Sequence, residues 1–139
     1  MGGRIRWGKA GAGWLKAIGL TLLPCAIDAP WKATSGIIAE SGSGNISITG
    51  AGSATGTSAY GILARSGGNG AVDVLTTGTV TGGKTGVIAM SLGTGNVNVS
   101  GTGTTVGNNG WGIYVTSGGG NVNVAPASTV TGNEGKYPV

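Results

Sequence analysis

The sequence predicts an all-β protein, a parallel β-solenoid of about four coils. A glycine-led segment recurs at intervals of 25, 25 and 26 residues, and repeats of roughly 20–50 residues are typical of solenoids. Within each repeat, short runs alternate aliphatic with polar residues, which indicates half-buried strands. Glycine supplies 32 of the 139 residues and separates these runs, as expected of tight corners.

Each coil is expected to contain three short strands. The first follows the repeat glycine in GIIAES, GILARS, GVIAMS and GIYVTS, which start at Gly36, Gly61, Gly86 and Gly112. The second, ten or eleven residues later, starts at Ile46, Val72, Val97 and Val122. The third and weakest starts at Ser53, Thr79, Thr104 and Thr129. Stacking would place equivalent strands about 4.8 Å apart, with glycine and asparagine supplying positive φ at the corners.

The alternation predicts which side chains face the interior. The inward columns are Ile37, Ile62, Val87 and Ile113; Ala39, Ala64, Ala89 and Val115; Ser41, Ser66, Ser91 and Ser117; Ile46, Val72, Val97 and Val122; and Ile48, Val74, Val99 and Val124. One outward column is apolar, and its members are Ile38, Leu63, Ile88 and Tyr114. We interpret this outward apolar column as a candidate partner-contact stripe, with ordinary β-propensity on a surface strand as the alternative.

Residues 1–33 are predicted to be a signal-peptide-like leader or an N-terminal cap, and residues 34–139 a repeat domain. A basic stretch precedes an eleven-residue apolar run at 17–27, the order found in export signals. We expect this run to be a short apolar or helical segment, too short to span a bilayer. Two alternatives stay open: a mis-assigned start codon, and a cap on the first coil formed by Trp14, Leu15, Ile18 and Leu22.

The charge distribution argues against a nucleic-acid partner. Residues 1–33 contain five Lys or Arg and one Asp, which gives the whole net charge of +4. Residues 34–139 contain three basic and three acidic residues and are neutral. Nucleic-acid binding needs Lys and Arg clustered on the folded surface, and the repeat domain has no such cluster.

The repeat pattern also resembles a known family. Repeats of the form G-I-x-A-x-S-x-G-x-G-N-V-x-V, followed by T-V-x-G, are similar over residues 35–135 to passenger segments of bacterial autotransporter (type V secretion) proteins. The resemblance implies a right-handed, three-faced parallel β-helix that is exported and displayed at, or released from, the outer membrane, often as an adhesin. It also implies a C-terminal translocator barrel. No such segment follows residue 135, so we expect a passenger fragment truncated at its C terminus.

We expect no catalytic residues, no cofactor and no metal site. The chain has no histidine, so a Ser-His pair cannot form. The acids of the repeat domain, Glu40, Asp73 and Glu134, fall in different columns and coils. Residues 78–85 match the letters of a P-loop, but a strand and not the required helix is predicted to follow. A single cysteine, Cys25, excludes an intrachain disulfide and a multi-thiolate zinc site.

These observations predict a non-enzymatic, secreted or surface-displayed bacterial protein with an adhesive or structural role. Its expected partners are host or cell-surface molecules, and copies of itself through unpaired strand edges at the solenoid ends. Membrane contact is expected only through the leader or a missing barrel. The alternatives are a truncated gene product without independent function and a stand-alone ligand- or ice-binding solenoid. The last rests on hydroxyl pairs in the third strands: Ser53 and Thr55, Thr79 and Thr81, and Thr129 and Thr131.

Overall fold

The chain folds into an all-β solenoid of about four coils. The computed structural model describes residues 3–7, 14–17, 20–22, 35–50, 53–126 and 129–135. Within this part of the chain no residue is helical. From residue 37 onward, each coil contributes one strand to each of three sheets, and equivalent strands of successive coils run parallel. The predicted fold class is confirmed.

The described residues form fifteen strands, numbered here in chain order. The leader contains β1 (Gly3–Trp7), β2 (Trp14–Ala17) and β3 (Leu20–Leu22). The first coil contains β4 (Ile37–Ser41), β5 (Ile46–Gly50) and β6 (Ala54–Gly56), and the second β7 (Ile62–Ser66), β8 (Val72–Thr76) and β9 (Val80–Gly82). The third contains β10 (Val87–Ser91), β11 (Val97–Gly101) and β12 (Thr105–Gly107), and the fourth β13 (Ile113–Ser117), β14 (Val122–Pro126) and β15 (Val130–Gly132).

Three sheets enclose the interior. Sheet A stacks β4, β7, β10 and β13; sheet B stacks β5, β8, β11 and β14; and sheet C stacks β6, β9, β12 and β15. Residues one repeat apart are paired, as in the series Ile37, Ile62, Val87 and Ile113. The 25- and 26-residue spacing read from the sequence is therefore the hydrogen-bonding register.

The inward columns form the core. Aliphatic residues at alternate positions of sheets A and B are buried, and Val72, Val87 and Val97 are completely inaccessible to solvent. The third strands also contribute an inward column, which the sequence showed only as a weak run: Ala54, Val80, Thr105 and Val130. Two inward aliphatic residues per strand in sheets A and B, with one inward residue per strand in sheet C, thus fill the narrow interior of the first three coils, since the side-chain period of a strand is two.

Several inward positions of the fourth coil are less buried than predicted. Val122 was expected in the core, but 47% of it is exposed. Val115 and Val124 of the same coil are only partly buried. The reason is geometric, because β14 pairs only with β11 in the described part of the chain. Its inward side chains consequently have a neighbouring coil on one side alone.

The expectation of positive φ throughout the corners was wrong. Among the described residues, only Gly101 and Gly135 have positive φ, at 139° and 128°. Most corner glycines are required by space instead. A Cβ on Gly36 would lie 2.5 Å from the carbonyl oxygen of Gly61 in the next coil, closer than side-chain carbons come to backbone atoms. Close backbone approach is the other condition that only glycine satisfies.

The corner asparagines act through their side chains and not through their backbone conformation. The Oδ1 of Asn45 accepts a hydrogen bond of 2.9 Å from the backbone N–H of Ala71. The Oδ1 of Asn96 accepts an equivalent bond of 2.9 Å from Asn121. Each amide thus joins the corner of one coil to the next, and it satisfies a backbone donor that no strand partner reaches.

The leader strands lie on the N-terminal edge of the stack. β1 pairs antiparallel with both β2 and β4, and β3 pairs parallel with β5. The parts of residues 1–33 that the structure describes are therefore strands, and most of the run expected to be apolar or helical lies outside the described residues. The rest of the leader, including Ile18 and Cys25, lies outside the described residues. The structure contains, in the part described, no helix long and apolar enough to cross a membrane.

Candidate binding groove at the corner between sheets C and A

A groove of about 630 Å³ lies along the corner where each coil passes from sheet C to the next strand of sheet A. We call it the corner groove and define it by its most prominent side chains, which are Tyr60, Lys84, Ile88, Trp111, Tyr114 and Glu134. Its corner residues come from all four coils. It therefore runs along the solenoid axis over three inter-coil spacings, or roughly 14 Å.

The groove exists because the corner of the second coil is short. Four residues separate Gly56 from Gly61 and four separate Gly107 from Gly112, but only three lie between Gly82 and Gly86. Backbone hydrogen bonds fix which corner residues are equivalent. Gly61 donates to the carbonyl of Thr85 and Gly86 to that of Trp111, both at 3.1 Å.

These equivalences place a small residue between two aromatic ones. Tyr60, Thr85 and Trp111 occupy the same position in successive coils. Thr85 is buried, whereas Tyr60 and Trp111 are half-buried. The missing residue and the smaller side chain together leave a notch in the second coil. The residues on its two sides are aromatic, and their backbones are about 9.6 Å apart, which is twice the strand spacing.

The glycine that ends each third strand holds the corner tightly against it. A Cβ on Gly56 would collide with the carbonyl oxygen of Tyr60, and one on Gly107 with that of Trp111. The corner therefore folds back directly over the strand end. This close contact prevents the corner from moving further toward the strand end.

Polar and charged groups surround the aromatic residues. Lys84 and Glu134 are exposed, and their backbone N–H groups are anchored on the preceding coil, donating to Ala59 at 2.8 Å and to Gly110 at 3.2 Å. The Nδ2 of Asn109 donates a bond of 2.9 Å to the carbonyl of Gly83. The groove thus combines apolar ring faces with hydrogen-bonding groups and one charge of each sign.

The outward apolar column predicted from the sequence is continuous in the structure. Ile38, Leu63, Ile88 and Tyr114 are paired side by side across sheet A, and all four are half-buried. Ile88 and Tyr114 line the corner groove. Ile38 and Leu63 do not line it and extend the column along sheet A toward the first coil.

Sequence reasoning missed most of the groove. Tyr60 and Trp111 each stand directly before a repeat glycine, so a comparison of the corners between repeats would have aligned them. Lys84 lies in the stretch that matches the letters of a P-loop. In the structure, β9 lies within residues 78–85 and β10 follows them, so the strand predicted to follow that stretch is confirmed.

The acidic residues of the repeat domain are dispersed. Glu40 lies on sheet A, where its Oε1 is 3.9 Å from a guanidinium nitrogen of Arg65. Asp73 lies on sheet B and accepts a hydrogen bond of 2.6 Å from Asn98. Glu134 lies at the corner groove. No group of three or more potential metal ligands occurs among the described residues. The Glu40–Arg65 pair is exposed and contributes at most about 1 kcal/mol to stability.

Sheet C presents the predicted hydroxyl face. Thr55, Thr81, Val106 and Thr131 are paired in register, and all four are exposed or half-buried. Val106 interrupts the hydroxyls in the third coil. Each strand of this sheet is three residues long, so the face is narrow.

Comparisons with known proteins give no match for this chain: no family model fits it, and no curated protein or solved structure is significantly similar to it.

Proposed function

We propose that this chain is a non-enzymatic β-solenoid with an adhesive or structural role, secreted or displayed at a bacterial cell surface in the manner of an autotransporter passenger segment. The observation that carries the proposal is the continuous apolar surface formed by the outward apolar column and the corner groove. An apolar stripe that ends among partly exposed Tyr and Trp side chains is typical of contact surfaces.

The rigidity of the solenoid supports this role. Every strand from β7 to β12 is paired with an equivalent strand on each side, so the contact residues are held on a regular frame. Binding loses less free energy when the contact surface is ordered beforehand. The exposed faces outside the stripe are mainly Asn, Ser and Thr, which suits a protein that works in water.

Two leucines of the second coil allow a matched test. Leu63 belongs to the outward apolar column on sheet A, and Leu75 faces outward on sheet B with 40% of it exposed. We expect Leu63→Ala to weaken binding to cell monolayers or matrix-coated surfaces at least about threefold, a modest interface effect. Leu75→Ala removes the same side chain from another face and should leave binding unchanged. Absence of binding by the unaltered protein would contradict the proposal, as would equal losses in both variants.

The hydroxyl column of sheet C favours ice binding as a second candidate. A repeated threonine array is its only support, and Val106 breaks that array. Thermal hysteresis in a freezing-point measurement would favour this function, and Thr81→Val should then reduce it. Adhesion without thermal hysteresis would favour the first proposal.

A further inference from the structure

We propose that the corner groove binds a segment of a neutral, extended saccharide chain. This inference rests on the proposed adhesive function, because it names the class of molecule that the contact surface recognises. The juxtaposition that carries it is a pair of aromatic residues on either side of a notch, with hydrogen-bonding side chains of all four coils around them.

The shape of the groove fits a linear polymer. It follows the solenoid axis for roughly 14 Å, and its volume of about 630 Å³ lies in the range of ligand sites. Its lining passes from the corner of the first coil at Tyr60 to that of the fourth at Glu134. A ligand that touches both ends must therefore be elongated.

The aromatic residues provide the apolar contact that a sugar ring needs. One face of a pyranose ring presents several C–H groups, which carry a slight positive charge. The face of an aromatic ring is negative, so the two surfaces attract while both leave water. Tyr60, Trp111 and Tyr114 are half-buried and line the groove. The hydroxyl and indole N–H groups of these residues add polar contacts at the ring edges.

The charges in the groove favour a neutral ligand. Lys84 and Glu134 both line it, and their charges cancel. An anionic polymer would approach Glu134 as well as Lys84, and a like-charge approach opposes binding. Sugar hydroxyls both donate and accept hydrogen bonds. They can therefore pair with the ammonium group of Lys84, the carboxylate of Glu134 and the hydroxyl of Ser58, which also lines the groove.

A peptide strand is a poorer occupant. Extended peptides commonly bind β-sheets by adding a strand to an exposed edge, which requires unpaired backbone groups. At the corner groove the backbone is paired between coils, since Gly61 N–H bonds to the Thr85 carbonyl and Gly86 N–H to the Trp111 carbonyl. Recognition there depends on side chains, which agrees with a sugar ligand.

The repeat itself supplies variants that the fold accepts. Thr85 occupies the position of Trp111 one coil earlier, so Trp111→Thr removes the ring and inserts the residue found at the equivalent position of the second coil. Trp111→Tyr keeps an aromatic ring. Leu92→Ala is the matched control, since Leu92 is 49% exposed and precedes β11 at the corner between sheets A and B, away from the groove.

Isothermal titration calorimetry on the full chain would use defined oligosaccharides of four to eight units (cello-, chito-, xylo- and manno-series), with heparin oligosaccharides as anionic probes. We expect at least one neutral series to bind, and Trp111→Thr to weaken it about tenfold or more. Trp111→Tyr should retain binding within a few-fold, and Leu92→Ala should match the unaltered protein. The inference is overturned if no neutral series binds at millimolar concentration, if heparin alone binds, or if Trp111→Thr binds normally while its thermal unfolding is unchanged.

Adhesion measured in parallel separates this inference from the proposed function. Adhesion that free neutral oligosaccharide competes away supports both. Adhesion that persists in Trp111→Thr and in saturating oligosaccharide overturns the saccharide site but leaves the adhesive function. Oligosaccharide binding without adhesion to any surface supports the site and overturns the adhesive function.

Discussion

Substitution of Val97 tests the packing of the core at its most demanding point. Val97 is completely buried and is paired with Val72 on one side and Val122 on the other. Val97→Ala removes two methyl groups, each contributing about 0.8 kcal/mol by transfer from water. Because the backbone of a stacked coil cannot collapse into the space, a cavity cost is added. We expect a total loss of about 2–3 kcal/mol in the free energy of unfolding.

Val97→Asp should be far more damaging. It loses the same apolar contact and places a carboxyl group where no hydrogen-bond partner is available, at a further cost of several kcal/mol. The sum, about 5 kcal/mol or more, reaches the whole stability of many domains. Ser100→Asp is the control, because Ser100 is half-buried and lies in the same strand on the outward face. It should cost less than about 1 kcal/mol.

Urea unfolding followed by far-UV circular dichroism measures all three changes. We expect the loss in the free energy of unfolding to increase in the order Ser100→Asp, Val97→Ala, Val97→Asp. Val97→Asp should show no native baseline and no cooperative transition. A Val97→Ala protein within about 0.5 kcal/mol of the unaltered chain would refute the inward assignment. So would a Ser100→Asp protein as unstable as Val97→Asp.

Three other predictions concern polar groups, glycine and the solenoid end. The Oγ of Ser66 is buried without a hydrogen-bond partner, whereas that of Ser91 donates to the carbonyls of Gly68 and Gly70 at 3.1 and 3.0 Å. In thermal unfolding, Ser66→Ala should therefore be neutral or slightly stabilising, and Ser91→Ala should be destabilising by about 1–2 kcal/mol. The reverse order would contradict this. Gly82→Ala should lower the free energy of unfolding by about 1–3 kcal/mol, because the new Cβ would collide with the carbonyl oxygen of Thr85 in the corner that follows. Unchanged urea unfolding would contradict the close contact at this corner. Removal of residues 1–33 takes away β1 and β3, which pair with the first coil. The strand edges of the first coil are then open, so light scattering should detect oligomers whose size increases with protein concentration. A monodisperse monomer at high concentration would contradict this prediction.

The sequence predicted the register because the repeat spacing and the strand period act together. Once Ile37, Ile62 and Val87 are aligned, alternation decides which side chains face inward, and a one-residue slip would turn every apolar residue outward. Burial of these residues in the structure follows directly. The outward apolar column followed from the same alignment, which is why its continuity across sheet A was predictable.

The corner groove was not predictable in the same way. The repeat glycines align Tyr60, Thr85 and Trp111, each of which stands directly before one, and the hydrogen bonds of Gly61 and Gly86 agree with that alignment. Whether these residues line a groove depends on how the corners fold against the strand ends, which strand periodicity does not predict. The sequence shows that glycine recurs at the corners but not why, since the close approach of backbones that requires it is a property of the stacked coils.

A pair of engineered cysteines tests the central claim, that residues one repeat apart lie side by side. In a Cys25→Ser background, Asp73→Cys with Asn98→Cys joins residues that are partners in β8 and β11. Their Cα atoms should be about 4.8 Å apart, within the range that a disulfide spans. The control, Asp73→Cys with Ser100→Cys, shifts one partner by two residues to roughly 8 Å. The account predicts that mild oxidation gives an intramolecular disulfide in the first variant, seen as a faster monomer band on a non-reducing gel, and little in the second. Equal cross-linking of both pairs, or of neither, would contradict the in-register stack on which the groove and the apolar column depend.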